Sequence, residues 1–209
     1  MKRPQNTYDA FLQTLYHLHQ QNKKPKLLLH ACCGPCASSA LCQLYDYFDI
    51  TIYFTNDNIF PKSEYYRRLE ELKNFIPKFN RDYHASVGLI IKKYDPTTWL
   101  SAHSLFKDNK EGQYRCHLCY AYRLKQTMEY ASSHGFEYVA TVLTLSRLKN
   151  SKIINEIGIT LNKEFPSITY LETDFKKNKG IDLSIDLTTH YHMYRQDYCG
   201  CPYSMPKEK

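Results

Sequence analysis

Residues 26–45 read KLLLHACCGPCASSALCQLY, and their order decides the architecture. KLLLHA has the length and apolar character of a short buried strand. CCGPCASSALCQLY then makes a tight turn that enters a helix. A strand, a turn and a helix in immediate succession open a strand–helix–strand unit. In sheets built from such units, ligands bind beyond the carboxyl ends of the strands. Cys32, Cys33 and Cys36 therefore fall where a site is expected, and Cys42, further along, reads as a small buried hydrophobe in the helix.

The same alternation continues outward. Upstream, residues 8–22 set Phe11, Leu15 and Leu18 at helical spacing, giving an N-terminal helical extension over residues 1–25. Downstream, DITIYFTN (49–56) is a second strand, and SEYYRRLEELKNFI (63–76) a helix with Ser63 as its N-cap. SVGLIIKKY (86–94) is a third strand. RCHLCYAYRLKQTMEYASSHG (115–135) is a helix ending at Gly135, followed by the strand EYVATVLTL (137–145). NSKIINEIGITLNKEF (150–165) and ITYLET (168–173) add a further helix and strand. The pattern predicts an α/β fold, a mostly parallel sheet covered by helices on both faces. With no internal repeat or linker, residues 1–209 are expected to form one domain. Asn56–Asn58 and Ser146–Lys149 follow strands two and four, so they are expected to converge with the first cysteines.

The chain carries 28 Lys+Arg against 21 Asp+Glu, a net charge of +7. That excess favours a polyanionic partner, because neutralising phosphates releases condensed counterions. The 19 Tyr and 10 Phe are read mainly as core. No stretch approaches the roughly 18 apolar residues of a membrane span, and the N-terminus lacks the features of a secretory signal. A cytoplasmic protein without a membrane partner is expected.

Seven of the eight cysteines fall in three tight groups, Cys32-Cys33-x-x-Cys36, Cys116-x-x-Cys119 and Cys199-Gly-Cys201. In a reducing compartment such groups bind metal or exchange electrons more often than they build a disulfide framework. Cys32, Cys33, Cys116 and Cys119 supply four thiolates from two elements, enough for zinc or an iron–sulfur cluster. The adjacent pair and the long separation favour a cluster over a zinc ribbon. Cys199 and Cys201 could close only a small strained ring, which suits a redox-active dithiol. A pair of extra metal ligands is the rival, and a structural disulfide the weakest of the three.

Six ordered blocks make the pattern specific: HACCGPCA (30–37), YFTNDNIFPKSEYYRR (53–68), EGQYRCHLCYAYRL (111–124), TLSRLKNSKIINEIG (144–158), DFKKNKG (174–180) and YRQDYCGCPYS (194–204). Together they resemble the QueH epoxyqueuosine reductases. The resemblance implies an adenine nucleotide α-hydrolase-like (HUP-like) fold and reduction of the epoxide of epoxyqueuosine to the alkene of queuosine, at the wobble position of certain tRNAs. It implies that Cys32, Cys33, Cys116 and Cys119 ligate a [4Fe–4S] cluster, and that Cys199 and Cys201 form a redox-active pair. Cys36 belongs to the first block without an assigned role, and a second iron beside the cluster is left open. Arg147 stands where the family pattern leads one to expect Pro.

Removing the epoxide oxygen as water takes two electrons, two protons and a group that holds the leaving oxygen. Asp57, Tyr194 and Lys149 are the candidates for that group. Arg67, Arg68, Lys149 and Arg195 are candidates for holding phosphates; the competing reading is a surface charge or a helix pair with Glu64. The electron donor is not named by the sequence. Two rivals are a tRNA-thiolating enzyme using ATP and a zinc module that binds RNA. The first needs a Gly-rich phosphate loop where HACCGPCASS stands. The second needs no Cys-x-Cys.

Overall fold

A computed structural model describes residues 6–205. The five strands are β1 (Lys26–His30), β2 (Asp49–Phe54), β3 (Gly88–Ile91), β4 (Tyr138–Thr141) and β5 (Thr169–Tyr170). They pair in the order β3-β2-β1-β4-β5, and every pairing is parallel. Leu29 sits opposite Ile52 on one side and Ala140 on the other, so β1 is central. Strand β2 leaves β1 in one direction and β4 returns on the other side. That reversal creates the crevice where open α/β sheets bind ligands.

Period-two alternation sorts β1 between two cores. Leu27 and Leu29 join the larger cluster, with α1 (Thr7–Gln20), α2 (Gly34–Leu44), α3 (Lys62–Tyr83) and α7 (Gly180–His190). Leu28 faces the other way, against Tyr120, Leu124 and Met128 of α5 (Tyr114–Ser133) and Ile154 of α6 (Ser151–Asn162). Helices thus cover both faces, as the alternation predicted. Phe11, Leu15 and Leu18 are buried as expected, and Phe11 meets Phe175 edge to face at 6.0 Å. Residues 1–5 of the expected extension lie outside the described residues. No helix among the described residues is long and apolar enough to cross a membrane.

Four local differences have physical causes. Helix α3 begins one residue before Ser63, with Pro61 at the N-cap and no capping side chain; Ser63 is exposed in the first turn. The helix also runs through Pro77 to Tyr83, because Leu72, Phe75, Ile76 and Phe79 all bury on the same core. The apolar run after β4 leaves the sheet at Val142. There the Thr141 hydroxyl accepts from Leu143 N and caps a short 3₁₀ turn. Cys42 is half-buried rather than fully enclosed.

Two helices carried no clear periodic signal: the short α4 (Thr97–Ser104), anchored by buried Trp99, and α7. Helix α7 packs against the small face of α2 through polar contacts. Ser39 Oγ donates to Gly180 O at 2.7 Å, and Ser184 Oγ to Pro35 O at 2.7 Å.

Gly158 on α6 reports how tightly the second core is closed. A Cβ there would meet the Tyr170 ring at 2.3 Å, and that ring is buried with its hydroxyl on Asn155 Oδ1. Gly158→Ala should gain about 1 kcal/mol of helix propensity but lose about 1–3 kcal/mol to overpacking. The expected result is a lower urea midpoint; an unchanged or higher midpoint would contradict this packing.

Candidate active site

The end of β1 and the start of α2 deliver the first three cysteines. Cys33 is the N-cap of α2, so the thiols stand at the positive end of the helix, where thiolates are favoured. Cys32 Sγ and Cys33 Sγ are 4.0 Å apart. Hydrogen bonds from Cys33 and Cys36 hold the Cys32 thiol well below the ordinary thiol range; Arg123 and Arg68 add to this against the cost of burial. The same bonds push Cys33 up to about 12 and raise Cys36. One thiolate shared among three sulfurs is the arrangement this describes.

Helix α5 carries Cys116 and Cys119 one turn apart, both buried. Gly112 N donates to Cys116 Sγ at 3.2 Å. Burial raises Cys116 and pushes Cys119 up to about 11. Cys119 packs with Trp99 and Cys201 in a small separate cluster.

The third group is delivered by a clamp. Arg68 is 1% exposed. Its guanidinium donates to Glu64 Oε1 at 2.7 Å, to Cys199 O at 3.0 Å and to Tyr198 O at 3.1 Å. Phe60 N donates to Gly200 O at 2.7 Å. Gly200 has φ +113°, and a Cβ there would lie 3.0 Å from Arg68 Nη1, so only glycine fits. Gln196 Nε2 reaches back to Cys33 Sγ at 3.0 Å. Arg68 is thus an internal fastener, and the phosphate role considered for it is corrected.

All eight cysteines are free thiols. Cys32, Cys36 and Cys199 border a cavity of about 210 Å³, together with Ser146–Lys149 and residues 195–198. Behind it lies a void of about 10 Å³, lined by Cys116, Cys119, Cys199, Cys201, Arg123 and Trp99. Cys199 borders both spaces; Cys201 faces only the inner one. Among the described residues, no three His, Cys, Asp or Glu side chains stand where one metal ion could be held. A single tetrahedral zinc needs thiolates only about 3.8 Å apart, at Zn–S distances near 2.3 Å.

Arg123 joins the two cysteine regions. It is 1% exposed and donates from Nη2 to Asn56 Oδ1 at 2.7 Å and from Nε to His30 Nε2 at 3.2 Å. Burial and the Arg123 charge push His30 down to about 3, so it is neutral. With Nε2 accepting, Nδ1 carries the proton, 2.8 Å from Thr141 Oγ1. No carboxylate pairs with this guanidinium among the described residues. Burial works against its charge, and Cys119, Cys32 and Cys199 are the groups that favour it.

Lys149 borders the cavity, and no side chain accepts from its Nζ among the described residues. Burial works against its charge, but Cys199, Tyr120 and Cys32 hold the ammonium above its ordinary range. The remaining sequence candidates do not border the cavity, Arg195 excepted. Asp57 is 2% exposed and accepts from Lys92 Nζ (2.8 Å), Asp95 N (3.1 Å) and Tyr122 OH (3.2 Å). Tyr194 donates its hydroxyl to Glu64 at 3.2 Å, and Arg67 stacks on its ring at 3.4 Å. Asn56 supports Arg123 and donates to Ala31 O at 2.8 Å. Sequence reasoning missed Arg123, His30 and Gln196. The signal for Arg123 was present, because it lies four residues after Cys119 and so shares its helix face.

Residues 27–207 match the family described as Epoxyqueuosine reductase QueH. The Epoxyqueuosine reductase QueH of Staphylococcus epidermidis is 38% identical over 211 residues, covering 100% of this chain and 88% of that protein. Its counterpart in Staphylococcus aureus is 39% identical over 207 residues, covering 98% and 86%. That of Streptococcus pyogenes serotype M1 is 38% identical over 198 residues, covering 94% and 77%. Among solved structures, the U34-tRNA thiolase NcsA from Methanococcus maripaludis with its [4Fe-4S] cluster is a distant likeness. It aligns at a TM-score of 0.47 and 13% identity, over 95% of this chain and 69% of that one.

The uneven sharing of charge among the first three thiols is directly measurable. In metal-free protein, alkylation at Cys32 should fall less steeply with pH through 8 and 7 than that of an ordinary thiol with pKa near 8.5, which slows about tenfold per unit. Peptide mapping of iodoacetamide-treated protein should find Cys32 labelled before Cys33. Equal labelling, or an ordinary pH dependence at Cys32, would remove the shared thiolate.

Proposed function

The chain belongs to the QueH family of epoxyqueuosine reductases, and on that footing we propose how its own residues carry out the reduction. It is an oxidoreductase that acts on tRNA. The reaction breaks both C–O bonds of an epoxide, forms the alkene and releases water, consuming two electrons and two protons. We assign the substrate as epoxyqueuosine at the wobble position of tRNA, with the modified base entering the 210 Å³ cavity. A tRNA substrate supports a cytoplasmic location.

Cys32, Cys33, Cys116 and Cys119 would hold a [4Fe–4S] cluster. The chemistry of the donor set fits that group. Four thiols come from two elements, one of them held well below the ordinary thiol range, beside a buried guanidinium with no carboxylate partner among the described residues. An anionic thiolate-ligated cluster meets the electrostatic demand of that charge. When bound, the cluster supplies electrons one at a time. Cys36, outside the four-ligand set and bordering the same cavity, is the donor available to a second iron.

The single observation that carries the assignment of roles is the position of Cys199. It borders the substrate cavity beside Cys32, and its neighbour Cys201 lies with Cys119 on the inner side. As a dithiol closing to a disulfide, Cys199 and Cys201 release two electrons and two protons, the stoichiometry that one epoxide consumes. An external electron donor then reduces the disulfide again.

Lys149 is the group assigned to hold the leaving oxygen by hydrogen bond. It borders the cavity and no side chain among the described residues accepts from its ammonium, whereas Asp57 is committed to Lys92 and Tyr194 to Glu64. The two protons that leave the dithiol are the two that the epoxide oxygen takes up on departing as water.

Anaerobically purified wild type should be brown and carry about four iron atoms per chain. Cys116→Ser or Cys119→Ser should bleach it. Cys199→Ser or Cys201→Ser should leave iron and melting temperature unchanged while multiple turnover is lost. Colourless wild type with stoichiometric zinc would overturn the cluster. Iron loss in the Cys199 or Cys201 variants would make them ligands, and full turnover would end the relay.

A further inference from the structure

We propose that Arg147, Leu148 and Arg195 form a rim that receives the single-stranded RNA on either side of the modified nucleotide. This rests on the reductase assignment above and names the surface by which the tRNA is held. The cavity, at about 210 Å³, is smaller than the roughly 300–1,000 Å³ of sites that enclose a whole drug-sized ligand. One base can enter, and the rest of the anticodon loop must lie outside, across the mouth.

The mouth has the chemistry for it. Leu148 is 66% exposed at the cavity edge, between Arg147 and Lys149 in sequence and facing the same cavity as Arg195. Arg147 and Arg195 are exposed, and neither makes an ion pair or hydrogen bond among the described residues. Against these cations the cavity lining holds one acid, Asp197. Unpaired guanidinium groups bind phosphates or stack on unpaired bases, and an exposed apolar side chain between cations offers a base a dry face.

The shelf is also fixed in place. Leu148 N and Lys149 N both turn back to Ser146, at 3.3 Å to Oγ and 3.2 Å to O. Lys176 Nζ braces the loop from below, at 2.8 Å to Thr144 O and 3.4 Å to Lys149 O. A pre-ordered loop loses little entropy on binding. The rim residues are distinct from the four proposed cluster ligands, from the Cys199–Cys201 pair and from Lys149.

The test uses full-length, iron-replete protein and tRNA bearing epoxyqueuosine. Binding is measured across ionic strengths, and turnover across tRNA concentrations. Arg147→Ala with Arg195→Ala should weaken binding about tenfold or more and flatten the salt slope by about 1.4, the value for two phosphates on a single strand. The loss should fall on KM, with kcat at saturation kept. Leu148→Asp should weaken binding about tenfold, whereas Leu148→Phe should bind at least as tightly as wild type, because an aromatic face stacks bases for about 1–3 kcal/mol each. A merely structural Leu148 gives no reason for the aromatic variant to hold its affinity. Unchanged affinity and slope in the double variant, or a loss confined to kcat, would overturn the rim. If wild type binds the tRNA with the stated variant pattern yet does not reduce it, the rim stands and the reductase mechanism fails.

Discussion

A guanidinium buried without a carboxylate is the constraint around which the site is organised. Arg123 reaches from α5 to His30 at the end of β1 and to Asn56 just beyond β2, so one side chain ties three elements together at the carboxyl edge of the sheet. Its hydrogen-bond partners there are both neutral. Leaving a charge buried and uncompensated costs several kcal/mol, and the compensating negative charge available is sulfur: Cys32, which is held well below the ordinary thiol range, and Cys119 once its thiol gives up its proton to a metal. The positions of the cysteines and of the arginine therefore depend on one another. Lys149 adds a second cation, answered in part by Cys32.

Two further buried arginines do mechanical work on the loops that carry cysteines. Arg68 grips the carbonyls of Tyr198 and Cys199. Arg115 grips those of Lys107 and Asn109, at 2.7 and 2.5 Å, just before the turn of α5 that bears Cys116. Each uses the fork of donors that distinguishes arginine from lysine. These three arginines are therefore structural, whereas Arg147, Lys149 and Arg195, which make no ion pair among the described residues, border the cavity.

The fold was legible where local pattern and tertiary context agree. The apolar run of β1, the cysteine turn and α2 were read from their order alone, and both faces of the sheet were covered as the alternation required. Helix α7 was not legible, because its contact with α2 is made by serine hydroxyls on backbone carbonyls, which leave no strong periodic signal. The end of β4 was overrun because VLTL is as apolar as a strand, and only the Thr141 cap turns it aside. At the site, the cysteines announced themselves by spacing. Asp57 was singled out for its place after β2, a position that cannot show a carboxylate already saturated by Lys92, Tyr122 and a backbone amide. Arg68 looked like a surface cation on a charged helix. Its burial depends on a segment about 130 residues away in the chain, which no local pattern records.

The central claim is that the charge of Arg123, and not merely its bulk, is matched to negative sulfur at this site. The most direct measurement is iron per chain in anaerobically purified Arg123→Met, beside Arg123→Lys and wild type, with circular dichroism to verify folding. If the charge is what the thiolates and their cluster answer to, folded Arg123→Met retains little iron. Arg123→Lys then keeps a substantial part of the roughly four atoms expected of a Cys₄ cubane. A folded Arg123→Met with the full iron content of wild type would contradict it.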